Sequence, residues 1–318
     1  MFEHVPCAVC GADDYEVLYA PQSAPETDAD LAVKFRASGD ELLVYALVRC
    51  RECEFQYVNP RPQADLIYSG YVDGDDPAYV SQICARERTF AASLEQIERA
   101  AGGKGRLLDV GTAAGAFVAT ARQRGWDAEG CEPNRWLADW GQRHYGIRIR
   151  KGDLLQLDYK ESSFDVITLW DVIEHTTDPR LLLDRCRALM RPSGILIVNY
   201  PDIGTWIARI LGRRWPFLTS VHLSYFDRRT IRQILDRTGY RVEAVKPHVQ
   251  RLELDYILFR GSVLSRAASD AARTAVKGFG LSRLKVPYWL GQTFVIARKL
   301  AVLVSTNSMC ELVLGMPL

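Results

Sequence analysis

No apolar run in this sequence lasts the roughly 18 residues that a bilayer-spanning helix requires, because Arg, Lys, Asp or Asn interrupts each one. The first six residues carry an acidic Glu3 and neither a basic start nor an apolar stretch, so no secretory signal is read and a cytoplasmic location is expected. A charge of one sign is lacking as well. Forty Lys and Arg stand against 39 Asp and Glu, which leaves +1 and no global field to hold a polyanion, and nucleic acid is an unexpected partner. No internal repeat occurs, which excludes solenoids and propellers. What is present is enough apolar material, 48% of 318 residues, to bury one large core with a small appendage.

Of eight cysteines, Cys84, Cys131, Cys186 and Cys310 stand singly, while Cys7, Cys10, Cys50 and Cys53 form two C-x-x-C pairs. In a reducing compartment such pairing points to metal rather than disulfides. Thiolates two residues apart fill two corners of a tetrahedron and a second pair supplies the others, so a closed, structural zinc site is expected. Four free buried cysteines are the alternative; thioredoxin-like redox chemistry does not fit, since neither pair opens a helix in a βαβ setting.

Residues 1–62 read as this zinc-binding module, with strands at 15–19 and 42–49, closed by Asn59-Pro60-Arg61-Pro62, where two proline rings restrict the backbone. A catalytic domain is expected over residues 63–300. A helical pattern over 77–101 stops at Gly102-Gly103. Strands then follow at 106–110, 127–132, 147–151, 164–169, 194–200 and 240–245, mostly with helical patterns between them, which predicts a parallel α/β sheet. Residues 250–290 read as an insert with a basic amphipathic helical pattern over 256–277. The run at 293–298 is expected to pair antiparallel at the sheet edge, and residues 301–318 form a tail without an evident role.

Leu107-Leu108-Asp109-Val110-Gly111-Thr112-Ala113-Ala114-Gly115 runs from an apolar strand through a glycine-containing turn into a helix, which lets backbone approach a nucleotide-like ligand. About 20 residues on, Glu132 ends the next strand, where a carboxylate can accept both hydroxyls of a ribose. Asp153 ends the third strand and can accept from an adenine amino group, with Leu154 against the ring. An ordinary tight turn and solvated or capping acids are the plain alternatives; acids at consecutive strand ends form a stronger set than any one alone.

These segments, together with Phe164-Asp165-Val166-Ile167 and Asp171-Val172-Ile173-Glu174-His175, resemble class I S-adenosylmethionine-dependent methyltransferases over residues 107–245. The resemblance implies a Rossmann-like sheet with Asp109, Gly111, Ala113 and Gly115 at the methionine part of the cofactor, Glu132 at the ribose, Asp153 and Leu154 at the adenine, and Trp170 at the sulfonium side. Ala113 stands where the family usually has glycine, which crowds the turn. The same spacing departs from G-x-G-x-x-G, so a dinucleotide enzyme is the lesser alternative. A zinc module ahead of such a domain resembles the sugar C-methyltransferase group and related biosynthetic enzymes, with Cys7, Cys10, Cys50 and Cys53 as the carried-over ligands.

In-line methyl transfer asks the protein to align a nucleophile and remove its proton, work suited to histidine. His175 and His222 both follow strand ends and are the candidate bases; a bracing residue and a buried hydrogen-bonding histidine are their structural alternatives. Asp171, Glu174 and His175 form an alternative divalent-metal set. Tyr68, Tyr71 and Tyr79 are candidates to cover the cofactor or substrate, and Gly212-Arg213-Arg214-Trp215-Pro216-Phe217 is a candidate grip on a phosphate, with a solvated loop as the alternative. The expected reaction is methyl transfer to oxygen or carbon of a small molecule: a sugar, a quinone-like ring, or a nucleotide- or lipid-linked precursor reached by peripheral membrane contact. The alternatives are an RNA methyltransferase, which the acidic N-terminal module disfavours, and a cofactor-binding scaffold without turnover.

Overall fold

The structure is a computed structural model that describes residues 2–22, 27, 34–35, 41–263 and 265–300; the predicted tail at 301–318 lies outside the described residues. Its strands in chain order are β1 (Phe2–Glu3), β2 (Tyr15–Tyr19), β3 (Leu47–Cys50), β4 (Gln56–Val58), β5 (Arg61–Pro62), β6 (Arg106–Val110), β7 (Asp127–Glu132), β8 (Ile149–Lys151), β9 (Phe164–Trp170), β10 (Met190–Pro201), β11 (Ser224–Tyr225), β12 (Tyr240–Pro247), β13 (Gln250–Glu253), β14 (Lys285–Tyr288) and β15 (Gln292–Lys299).

Seven of them form the central sheet in the order β12-β15-β10-β9-β6-β7-β8. Pairings among β6 to β10 are parallel, and β15 runs antiparallel to both β10 and β12. The late strand is thus antiparallel as expected, yet it lies inside the sheet with β12 outside it. Its burial explains the placement: Gln292 through Ala297 are all buried, a pattern for a strand covered on both faces. Strand order reverses between β6 and β9, which opens a crevice above their carboxyl ends.

Local signals set the helices around this sheet. Helix Ile83–Ala101 buries Ile83, Phe90, Leu94 and Ile97 at helical spacing and ends on Gly102 at φ 71°, a left-handed cap that glycine adopts without a Cβ penalty. Asn134 caps helix Arg135–Tyr145 by accepting from Leu137 N at 2.8 Å, and Asp178 caps helix Pro179–Leu189 through Leu181 N at 2.9 Å. The single amphipathic pattern at 256–277 resolves into two helices, Leu254–Arg260 and Arg266–Gly278, flanked by the β13-β14 pair.

The strand expected at 42–49 is shorter, β3 with an isolated bridge from Leu42 to Thr219. The N-terminal sheet has the order β11-β4-β3-β2, so its fourth strand comes from Ser224 and Tyr225, far along the chain. Val58 N donates to Leu223 O at 3.0 Å, and the Phe55 and Phe226 rings lie 4.8 Å apart. Cys50, Cys53 and Phe55 share one buried cluster with Leu169, Val198 and Phe226 of the central sheet and its loops. Burial of this continuous apolar surface holds the module against the sheet.

Candidate active site and thiolate cluster

The turn after β6 lines one side of the crevice. Gly111, Ala113 and Gly115 take φ of 65°, 49° and 75°. A Cβ on Gly111 would meet Val172 Cγ2 at 2.7 Å and one on Gly115 would meet Ile147 Cδ1 at 2.6 Å, so both positions need glycine for space as well as conformation. Ala113 keeps the left-handed conformation despite its methyl, at a cost of roughly 1–2 kcal/mol. Its N–H donates to Glu132 Oε2 at 2.7 Å, a charge-assisted bond that offsets part of that strain.

Asp109 is buried and its carboxylate accepts from the hydroxyls of Thr112 and Thr168, each at 2.6 Å. Burial pushes its pKa up to about 7 against those hydrogen bonds. Glu132 is fully buried at the end of β7. Its oxygens accept from Ala113 N at 2.7 Å and Asn134 N at 2.8 Å, and the Tyr71 hydroxyl lies nearby. Burial raises its pKa to about 7 as well. The group expected at the ribose is therefore satisfied internally, with Tyr71 standing between it and the cavity. Asn134 holds that tyrosine's segment in place, donating through Nδ2 to Tyr71 O at 2.7 Å and Gly74 O at 2.9 Å. Asp153 and Leu154 lie just beyond β8; Asp153 Oδ1 accepts from Leu155 N at 2.8 Å, and Leu154 is buried.

A cavity of about 910 Å³ joins this turn to the far side of the crevice, within the usual range for small-molecule sites. Asp109, Gly111, Ala113, Asp153, Leu154 and Trp170 all line it, as do Tyr68, Tyr71 and Tyr79. Gly115 does not line it and serves the helix start instead. Trp170 packs tilted on Phe90 and Phe117 at 5.3 and 5.1 Å, and its indole N–H has no hydrogen-bond partner among the described residues. Asp171 takes φ 52° and accepts from Asn199 Nδ2 at 2.5 Å. Burial raises its pKa to about 6, with Arg86 opposing the rise.

Arg86, stacked at 4.2 Å on the Tyr79 ring, also lines the cavity and was not anticipated. Its signal was there to find: it falls on the buried stripe of helix Ile83–Ala101, between Ile83 and Phe90, where an arginine needs a reason. In the 212–217 segment the aromatics turn inward and the cations do not reach the cavity. Trp215 is buried and donates to Leu290 O at 2.8 Å, while Arg213 stacks on Tyr19 at 4.8 Å.

His175 and His222 meet at the cavity wall, ring centroids 4.6 Å apart. His175 Nδ1 lies 3.0 Å from Val221 O and His222 Nδ1 lies 2.7 Å from Phe217 O. A carbonyl only accepts, so each Nδ1 carries the proton and each Nε2 keeps its lone pair. Burial lowers both pKa values, that of His175 to about 4, which keeps the rings neutral. Glu174 joins them: one donor atom from each of Glu174, His175 and His222 lies within 4.8 Å of the others. The expected metal set is thereby revised, since His222 rather than Asp171 completes it.

The Cys7, Cys10, Cys50 and Cys53 sulfurs form a second cluster of the same compactness. Cys7 and Cys53 Sγ lie 3.4 Å apart, and Cys10 and Cys50 Sγ 3.5 Å. Each pair sits on a matching turn: Gly11 N donates to Cys7 O at 2.8 Å and Glu54 N to Cys50 O at 2.9 Å. The residue after each second cysteine, Gly11 or Glu54, has positive φ, 83° and 59°. Two such turns facing one another present four sulfurs to one point, which suits a tetrahedral thiophilic ion.

Among relatives, a ubiquinone biosynthesis O-methyltransferase of Rhodopseudomonas palustris is 34% identical over 100 residues, covering 29% of this chain and 38% of that protein. A probable S-adenosylmethionine-dependent methyltransferase of Mycolicibacterium smegmatis is 30% identical over 101 residues, 32% of this chain and 38% of that protein. The matched region thus spans under two fifths of the length of these curated relatives. Among solved structures, a SAM-dependent methyltransferase of Archaeoglobus fulgidus aligns at 16% identity and TM-score 0.49, covering 70% of this chain and 100% of that one. A family model described as a methyltransferase domain matches residues 81–245, more than half of the 318-residue chain, and the protein belongs to that methyltransferase-domain family.

Proposed function

We propose that the protein transfers a methyl group from S-adenosylmethionine to an oxygen or carbon of a small molecule. The observation that carries this reading is a single cavity bordered at one end by the Gly111 turn, Asp153 and Leu154, and at the other by His175 and His222. The donor set fits the cofactor: a glycine turn open to the cavity, a buried carboxylate at each of the first two strand ends, and an indole N–H without a partner. When bound, the cofactor supplies a methyl on a sulfonium, an electrophile that needs no further activation.

Asp153 and Leu154 are assigned to the adenine edge and face, Glu132 to the ribose, and Asp109 with the Gly111–Ala113 turn to the methionine part. For Glu132 to serve, the Tyr71 side chain that lines the cavity beside it must make room. Trp170, walled by Phe90 and Phe117, excludes water from the reacting centre. His175 and His222 bring lone-pair nitrogens to the acceptor half and manage the acceptor's proton. The Cys7-Cys10-Cys50-Cys53 cluster is assigned to structural zinc.

The aromatic and aliphatic lining favours an apolar or ring-bearing acceptor, and the relatives named for ubiquinone biosynthesis make a quinone-like ring the first class to screen. Sugars carried on nucleotide or lipid handles come next. No helix among the described residues is long and apolar enough to cross a membrane. Calorimetric titration with S-adenosylmethionine and S-adenosylhomocysteine, with NAD as control, tests the reading. Binding of the first two and not of NAD is expected, and binding of none of them would leave a scaffold instead of an enzyme.

A further inference from the structure

Glu174 poses a problem that the transfer reaction alone does not solve. It is 1% exposed, and neither carboxylate oxygen has a hydrogen-bond partner among the described residues. An unpaired buried carboxylate is costly, and native structures keep one where it neutralises or meets a cation. Its backbone is fixed: Glu174 O accepts from Leu223 N at 2.8 Å and Ser224 N at 3.1 Å, so this residue and the His222 segment move together. The side chain is therefore aimed, not adrift.

The two imidazoles beside it are held as metal-binding histidines are held. Each donates Nδ1–H to a backbone carbonyl, fixing the tautomer that offers Nε2 outward. Asp171, the nearest other acid along the chain, is committed elsewhere, accepting from Asn199 Nδ2 at 2.5 Å. One further cation, Arg260 of the insert, lines the same cavity. It makes no hydrogen bond to the Glu174 oxygens.

The geometry points to a divalent-cation site formed by Glu174, His175 and His222, with its remaining coordination positions open to the acceptor half of the cavity. Two imidazole nitrogens and one carboxylate favour zinc, iron(II), cobalt(II) or manganese(II) over magnesium or calcium, which prefer all-oxygen shells. Donor atoms within 4.8 Å of one another need only small side-chain adjustment to reach bonds of about 2.0–2.2 Å. Three protein ligands leave the ion room to take a hydroxyl oxygen of the acceptor, which it would orient and make more acidic; with both Nε2 lone pairs on the ion, the ion replaces the free histidines in loosening the acceptor's proton. The inference deepens the proposed function, on which the identity of the acceptor rests: it narrows the substrates to molecules presenting a hydroxyl, or a neighbouring hydroxyl pair, at the methylated position.

The test uses the full chain with its thiolate cluster zinc-loaded, titrated calorimetrically with manganese(II) and cobalt(II), and separately with S-adenosylmethionine. One further equivalent of cation is expected to bind. Glu174→Gln, which keeps the shape of the side chain, should weaken binding at least about 10-fold, as should His222→Ala, whereas Asp171→Asn should retain it. Thermal unfolding of each variant shows whether it remains folded. Absence of a second cation in the wild type, or equal binding by a folded Glu174→Gln, overturns the site. The cofactor titration is read independently: S-adenosylmethionine binding without a second cation sinks only the cation, and cation binding without cofactor sinks only the methyltransferase reading.

Discussion

Two donor clusters lie in this molecule, one of four sulfurs and one of two imidazoles and a carboxylate, and they differ in how the chain assembles them. Each sulfur pair is local, two thiols on one turn, and only the joining of Cys7-Cys10 to Cys50-Cys53 spans distance. The Glu174–His175–His222 group joins a residue after β9 to one that precedes β11, held by backbone bonds from Leu223 and Ser224 to Glu174 O. The first cluster is closed on itself, as a structural ion requires, and the second borders a cavity, as a reacting group requires. Strand β11 ties them together, because it completes the sheet that carries Cys50 and directly follows the His222 loop.

The largest effect should come from breaking the closed cluster. Cys50→Ser is expected to leave substoichiometric metal in purified protein and to destabilise the fold by on the order of 4 kcal/mol, the scale of losing a structural ion. Metal analysis and thermal unfolding check it. Full metal content would contradict a four-thiolate site, and an undisturbed His222 NMR resonance would contradict the link through β11.

At the cofactor side, Gly111→Ala should cost roughly 1–2 kcal/mol in stability from its positive φ alone, with the Val172 contact at 2.7 Å adding to it. Denaturant unfolding reads this. Next, Glu132→Ala should weaken S-adenosylmethionine binding by about 1–3 kcal/mol, and unchanged affinity in calorimetry would remove Glu132 from the ribose. Tyr71→Phe sharpens the same point in the other direction. Loss of the hydroxyl beside Glu132 should strengthen cofactor binding by about 0.5–1.5 kcal/mol, and a weakening would make that hydroxyl a ligand instead of a gate.

A separate expected effect concerns pH. Asp109 has its pKa raised from 3.8 to about 7 in the fold, so the folded state holds its proton more tightly. Its contribution to stability is full below the unfolded value and is lost as pH climbs from about 4 to about 7. Asp109→Asn should flatten the unmodified protein's fall in stability across that window, whatever the substitution costs at any one pH. An unchanged slope would assign the titration to other buried acids.

Much of the β6–β7 side of the cavity was legible because its parts are strand ends, and strand ends are local. Apolar runs at 106–110 and 127–132 match β6 and β7, so Asp109, Gly111 and Glu132 could be placed from spacing alone. What spacing could not give was the hold of Asn134 on Tyr71 beside Glu132, since that contact joins a helix before the sheet to a residue some 60 positions later. Arg86 was hidden for a related reason. A stripe of buried positions marks a helix face, but only the neighbouring Tyr79 ring and Asp171 show that the face turns to a cavity.

By itself, the sequence determined the C-x-x-C pairs, the glycine turn, the alternation that builds a parallel sheet, and the antiparallel sense of its last strand. These depend on covalent neighbours, on φ angles open to glycine, and on periodicity along one element. Tertiary structure alone decided that β15 lies inside the sheet, that Ser224 and Tyr225 complete the N-terminal module, and that His222 replaces Asp171 beside Glu174 and His175. Each of these is a choice of partner between segments remote in sequence, and it is burial of shared apolar surface and pairing of backbone groups that selects the partner.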